Sequence, residues 1–213
     1  MVVPIVFRRG GEGAVASYDF YDVASGSGYI EFYAGRGMSV NLLSTFKFYS
    51  NCPDSTAYVY TSGSTNSGTF TKKVDLDFDV VLNKPLVIYG RALVNAPYSI
   101  KGDTSTVQGY TWAHIKKVSG GTETEIISCS GAALNASTTE TFFMPGLEMD
   151  VPLTVFKKGD TLRLTVEGWV RVAASTNATI HVAHDPMART INWDAATDVS
   201  SALKFICPVR IDI

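Results

Sequence analysis

From Thr161 to Val172 the residues Leu162, Leu164, Val166, Val170 and Val172 share one parity, and Thr161, Arg163, Thr165, Glu167 and Arg171 the other. A period of two is the signature of a strand with one apolar and one wet face. Val74, Leu76, Phe78 and Val80 alternate in the same way with Asp75, Asp77 and Asp79, and Ile30 and Phe32 with Tyr29, Glu31 and Tyr33. Pro85 to Val94 carries Leu86, Val87, Ile88 and Tyr89 in succession and reads as a more fully buried strand. Helical spacing nowhere persists beyond two turns. Glycine, asparagine and proline clusters at Gly26-Ser27-Gly28, Gly35-Arg36-Gly37, Asn83-Lys84-Pro85, Gly102-Asp103 and Gly159-Asp160 mark reversals. The clearest hairpin runs from Tyr110 to Val118, turns through Ser119-Gly120-Gly121-Thr122, and returns over Glu123 to Cys129. Further strands are expected at Thr141 to Met144, Leu153 to Phe156, Thr179 to Ala183 and Leu203 to Ile211. The pattern predicts an all-β antiparallel sandwich of the jelly-roll type with about eight to ten strands. The low-complexity run TSGSTNSGTFT, Thr61 to Thr71, is expected to be a loop tip. Residues 1–13 form a candidate N-terminal arm and 14–213 one domain.

Charge and cysteine content narrow the function classes. Eighteen basic and 20 acidic residues leave a net charge of -2, and the Lys and Arg pairs are scattered, so no nucleic-acid footprint exists. No apolar run approaches the ~20 residues of a membrane helix. The opening MVVPIVFRRGG has its apolar run before its arginines, the reverse of a signal peptide, so synthesis in a cytoplasm is expected and the sequons at Asn135 and Asn177 carry no weight. Cys52, Cys129 and Cys207 are odd in number and widely spaced, which implies free thiols rather than a disulfide framework.

Candidate chemistry is sparse. His181, His184 and Asp185 fall within five residues, yet on a strand the two histidines point to opposite faces and converge only if the strand ends between them. Asp75, Asp77 and Asp79 stand ~7 Å apart along one face, too far to wrap a single cation, and read as a solvated row or the counterpart of a basic patch. Ser128-Cys129-Ser130 lacks a nucleophile elbow, Glu140 and Glu148 are not marked as a pair by spacing, and Gly10-Gly11-Glu12-Gly13 lacks a phosphate-loop lysine. The sequence therefore assigns no catalytic, cofactor-binding or metal-binding residue, and a non-enzymatic protein is expected.

Aromatics are more telling. The chain holds 10 Tyr, 11 Phe and 3 Trp, while charged residues are only 18%, against ~25% in ordinary domains. Tyr29, Tyr33, Trp112 and Trp169 fall opposite the apolar alternation and form the candidate interface. Exposed rings of this kind suit a protein contact or a sugar platform.

The phrase Phe156-Lys157-Lys158-Gly159-Asp160-Thr161-Leu162-Arg163-Leu164-Thr165-Val166 resembles an element of many jelly rolls, in which Gly-Asp turns into a core strand. With the opening GGEGAVASYDFYDVASGSGYIEFYAG and the phrase VAHDPMART, the chain resembles accessory virion proteins of tailed bacteriophages. That resemblance implies a capsid-decoration or cement role, a homotrimer, a major capsid protein as partner, a virion location, no cofactor and no catalytic residues. A lectin-like, carbohydrate-binding module of a tail or spike is the alternative. Neither nucleic acid nor membrane is expected as a partner.

Overall fold

The structure, a computed structural model, describes residues 16–17, 26–36, 41–44, 60–172, 176–184, 190–193, 196–200 and 202–210. Seventeen strands lie among them: β1 (Ala16–Ser17), β2 (Ser27–Arg36), β3 (Asn41–Ser44), β4 (Tyr60–Thr65), β5 (Thr71–Val81), β6 (Leu86–Asn95), β7 (Tyr98–Gly102), β8 (Val107–Ser119), β9 (Thr122–Ser130), β10 (Leu134–Ala136), β11 (Thr141–Phe143), β12 (Gly146–Phe156), β13 (Thr161–Val172), β14 (Ala178–Ala183), β15 (Thr190–Trp193), β16 (Ala196–Ser200) and β17 (Lys204–Arg210). Ten of these have six residues or more, and nine of the ten overlap strands that alternation and turn spacing predict, β4 being the exception. No helix occurs among the described residues. The expected all-β antiparallel sandwich is the observed fold. The arm expected at residues 1–13 lies outside the described residues, as do Cys52 and Asp185.

The larger sheet has 11 strands, ordered β10-β8-β13-β5-β3-β2-β17-β6-β12, with β9 added on β8 and β1 on β2. It curls so far that β9, near one end, packs against β12 at the other. A four-stranded sheet, β11-β7-β14-β4, covers its inner face. Leu162, Leu164, Val166, Val170 and Val172 of β13 point inward and are buried with Phe78, Ile88, Ile115 and Phe205, meeting Ile100, Ile180 and Val182 from the small sheet. The two sheets are also tied by a polar bond, in which the buried Tyr98 phenol donates to the Gly109 carbonyl at 3.1 Å. Burial pushes that phenol's pKa upward, so it remains a donor at neutral pH.

The β8–β9 hairpin forms as expected, with Gly120 and Gly121 at φ 57° and 83°, the left-handed pair that a two-residue hairpin turn demands. The Gly159-Asp160 turn is also real. Gly159 has φ 92°, and the Asp160 carboxylate accepts from the Lys157 backbone NH at 2.7 Å, Ser119 Oγ at 2.7 Å and Lys117 Nζ at 3.0 Å. These bonds, the backbone one foremost, hold its pKa down to about 2.

The expected loop tip at residues 61–71 is corrected. Residues 60–65 are β4, fully paired with β14 from Thr65↔Ala178 to Tyr60↔Ala183, and only residues 66–70 connect to β5. Small residues are required here because β4 crosses close to β5: a Cβ at Gly63 would sit 2.5 Å from the Lys73 carbonyl oxygen. Composition suggested a loop, whereas tertiary crowding favours a strand of small side chains.

The wet face of β13 is drier than alternation suggests. Thr165 and Glu167 are 1% and 9% exposed, because neighbouring side chains on β5 and β8 close over them. The aspartate row explains part of this. Arg163 donates from Nε and Nη2 to both Asp79 oxygens at 2.7 Å and from Nη1 to Glu123 at 2.7 Å, and lies 3.1 Å from Asp77. Thr165 donates to Asp77 and Lys72 to Asp75. The row is neither bare nor reserved for a partner's cations, since β13 and β5 supply the counter-charges from within the sheet.

Candidate functional site

The side chains that stand out lie on the outer face of β8 and β13. Antiparallel register sets Trp169 opposite Tyr110, Glu167 opposite Trp112, Thr165 opposite His114 and Arg171 opposite Gln108. Outward parity, forced by the buried parity of Leu164, Val166 and Val170, then places the aromatic rings on one surface. The Tyr110 and Trp169 rings are parallel, at an interplanar angle of 1°, with centroids 6.2 Å apart. Trp112 lies 6.2 Å from Trp169 and 5.1 Å from His114. Phe70, in the β4–β5 connection, meets the edge of Tyr110 at 5.0 Å. The result is a continuous strip of half-buried rings running Phe70, Tyr110, Trp169 and Trp112, and ending on the buried His114.

Polar groups fix the strip from below. Trp169 Nε1 donates to Glu167 Oε2 at 2.7 Å, and Lys72 Nζ donates to Glu167 Oε1 at 2.9 Å. His114 Nδ1 lies 2.8 Å from Glu125 Oε2, and that bond holds the Glu125 carboxyl below its ordinary pKa against the opposing pull of burial. Burial first, and the Glu167 charge second, push the Tyr110 phenol upward, so it keeps its proton and can donate near neutrality. Among the described residues Trp112 Nε1 and His114 Nε2 are buried without a hydrogen-bond partner, His114 Nε2 standing 3.6 Å from Glu167 Oε2.

At the Phe70 end the strip opens into a pocket of about 300 Å³ lined by Gly68, Thr106, Gln108, Asn135 and Arg171. Arg171 lies over Phe70, its guanidinium carbon 4.6 Å from the ring centre, and its Nε donates to Gln108 Oε1 at 2.7 Å. Gln108 Nε2 in turn donates to Asn135 Oδ1 at 2.7 Å.

Of the four interface residues expected from sequence, the structure joins two. Trp112 and Trp169 belong to the strip. Tyr29, 47% exposed, and Tyr33, which has Lys204 over its ring, sit on β2, three strands away from β13 in sheet order. Tyr110, Phe70, His114 and Arg171 are site residues that sequence reading passed over, although Tyr110, Trp112 and His114 share one parity on the hairpin strand. The histidine pair does not converge. His181 Nδ1 lies 2.8 Å from Glu140 Oε1 and 3.2 Å from Ser99 Oγ, whereas His184 Nε2 meets Thr61 Oγ1 at 3.1 Å. Ser99, Glu140 and His181 form a buried polar knot in the small sheet, with Ser99 Oγ donating to Glu140. In a nucleophile–base–carboxylate relay the two oxygens bond opposite ring nitrogens; here both meet Nδ1. Cys129 and Cys207 are free thiols, half-buried and buried, and burial pushes the Cys207 pKa upward.

No family model and no curated protein sequence matches the chain. Solved structures do share its fold. An alpha-amino acid ester hydrolase superposes with a TM-score of 0.52 at 14% identity, over 84% of this chain and 36% of its own. An aminopeptidase from a marine sediment Thaumarchaeota archaeon superposes with a TM-score of 0.55 at 8% identity, over 86% of this chain and 37% of its own. The chain thus spans little more than a third of the length of each. The expectation of a non-enzymatic protein is corrected by these likenesses, because solved hydrolases carry this sandwich. Fainter likenesses include the VP2 subviral particle of infectious bursal disease virus, with a TM-score of 0.33 at 7% identity over 72% of this chain and 35% of that one. A CBM4 structure superposes at 0.28 and 13% identity, over 74% of this chain and 83% of that one. The resemblance to phage accessory proteins holds as far as the β-sandwich.

Proposed function

We propose that the chain is a carbohydrate-binding sandwich whose ligand lies along the strip of rings on β8 and β13. The observation that carries this reading is the placement of Tyr110, Trp169 and Trp112 side by side on one outer sheet face, with polar groups at their margins. Sugar rings offer apolar C–H faces and equatorial hydroxyls, and an aromatic surface edged by Gln, Asn, Glu and Arg satisfies both. The parallel Tyr110 and Trp169 rings supply the apolar contact. Gln108, Asn135 and the Tyr110 hydroxyl supply hydrogen bonds. Replacing Trp169 by alanine is expected to weaken binding to a glycan identified on an array by about 30-fold, the loss typical of a tryptophan anchor, with the circular dichroism spectrum unchanged. An array with no bound glycan, or a Trp169→Ala protein that binds as the parent does, counts against the reading.

A second observation favours a protein contact elsewhere on the molecule, and with it the capsid-decoration role implied by the resemblance. Tyr29 and Tyr89 are 47% and 59% exposed, and Leu153 and Val155 on β12 are more than half exposed. Tyr89 stands opposite the bulge between Val151↔Gly90 and Thr154↔Ile88 that contains Leu153. Closed symmetry is an economical cover for such a patch, and the corresponding state is a homo-oligomer, a trimer by analogy, added to a virion shell. Light scattering at micromolar concentration is expected to give a multiple of 23.0 kDa, and Tyr89→Glu to return the monomer. A monomeric parent protein removes this second reading.

A further inference from the structure

Among the described residues, Arg163, Lys116 and Lys72 on the outer face of β5, β8 and β13 are neutralised within the sheet. Arg163 has Asp77, Asp79 and Glu123, Lys116 has Glu123, and Lys72 has Asp75 and Glu167. Arg171, on the same face of the same strand as Arg163, has no carboxylate among the described residues. Its place is nevertheless built rather than incidental. The Phe70 ring supports the guanidinium plane, and the Gln108 carbonyl takes the Nε proton, with Gln108 itself fixed by Asn135. These contacts occupy the plane and the Nε edge. The two Nη groups, which can hold a carboxylate or sulfate end-on, have no hydrogen-bond partner among the described residues. Arg171 belongs to the wall of a pocket of about 300 Å³ whose other described lining residues, Gly68, Thr106, Gln108 and Asn135, bring no negative charge. A guanidinium oriented beforehand on a ring loses little freedom on binding, which suits planar anions better than a lysine does.

We propose that Arg171 is the anion-recognising residue of the glycan site, and that the sugars this protein binds are acidic, with a carboxylate or sulfate seated in the Arg171 pocket. The proposal rests on reading the aromatic strip as a glycan site. Cross-strand register puts Arg171 two residues from Trp169 and Gln108 two residues from Tyr110, so the pocket and the ring pair are adjacent. A sugar stacked on the rings thus has its substituents within reach of the guanidinium.

Titration calorimetry at 0.15 M NaCl with the full chain tests this. The probes are a galacturonic acid hexasaccharide, its neutral methyl ester and a sulfated carrageenan hexasaccharide. Either acidic probe is expected to bind about 10- to 100-fold more tightly than the methyl ester, and the stronger of the two identifies the anion. Arg171→Met, which keeps an apolar stem on Phe70, is expected to remove that preference, so that acidic and neutral probes bind it alike. Arg171→Lys is expected to retain part of it. The methyl ester comparison needs no variant, so it stands even if Arg171→Met folds poorly. Equal binding of acidic and neutral probes, sensitive to Trp169→Ala but indifferent to Arg171→Met, overturns the anion proposal and leaves the glycan site standing. No binding of any probe, together with an empty glycan array, overturns both.

Discussion

Replacing Phe78 by alanine is expected to cost the sandwich about 3–5 kcal/mol, among the largest losses that a single truncation of a described residue should produce. Phe78 is fully buried near the middle of β5, between β13 and the short β3, and its ring centre lies 5.9 Å from that of His184 at the end of β14. It therefore fills space between the two sheets rather than within one. Its neighbours are held in register by the β13–β5 ladder, from Thr161↔Val81 to Val170↔Thr71, so they cannot collapse into the void. A packed interior charges both the lost burial and the unfilled cavity to the variant. Urea unfolding should show a lower midpoint at an unchanged slope, with Phe78→Leu between parent and alanine variant. A Phe78→Ala protein as stable as its parent would place the structural centre elsewhere.

Arg163→Met is expected to lower stability by about 2 kcal/mol, between the values usual for exposed and for buried pairs. Removing this guanidinium leaves Asp77, Asp79 and Glu123 near one another with no shared cation. Arg163 is buried enough for its bidentate bond with Asp79 to hold, and its own pKa is raised by that bond before any other cause. Salt discriminates repulsion from lost packing. At about 1 M NaCl the screening length falls to ~3 Å, so the gap between parent and variant should narrow. Adding Asp79→Asn to Arg163→Met should cost less than the two single changes combined, because the second change removes one of the stranded charges. A gap that ignores salt would assign Arg163 a packing role alone.

What the sequence made legible depends on range. β13 was readable to its ends because a period of two over 12 residues needs no partner to be recognised, and the β8–β9 turn because Gly120-Gly121 has few other uses. β4 was not readable. Its serines, threonines and glycine look like a loop until Lys73 is seen crossing beside Gly63, and that crossing is a tertiary fact. The site behaved likewise. Trp112 and Trp169 could be flagged as rings on polar faces, but only the register of β8 against β13 brings Tyr110 beside Trp169. Phe70, Gln108, Asn135 and Arg171 come from four separate segments, and no spacing rule joins them. The same holds for Glu167, which alternation placed in water and which neighbouring side chains enclose.

The position of β17 has a consequence for how the molecule is made. It lies between β2 and β6 in the large sheet, pairing Phe205 with Phe32 on one side and with Val94 on the other. As translation proceeds, β2 and its neighbours through β10 can assemble as one half-sheet, and β6 with β12 as another, each with an unsatisfied edge where β17 will sit. Until residue 210 has cleared the ribosome, the packing of β9 on β12 is one of the contacts that join the halves. The nascent chain therefore carries two adhesive edges in the cell from the synthesis of β6 until that of β17, and its demand for chaperones over that interval is set by the strand they wait for.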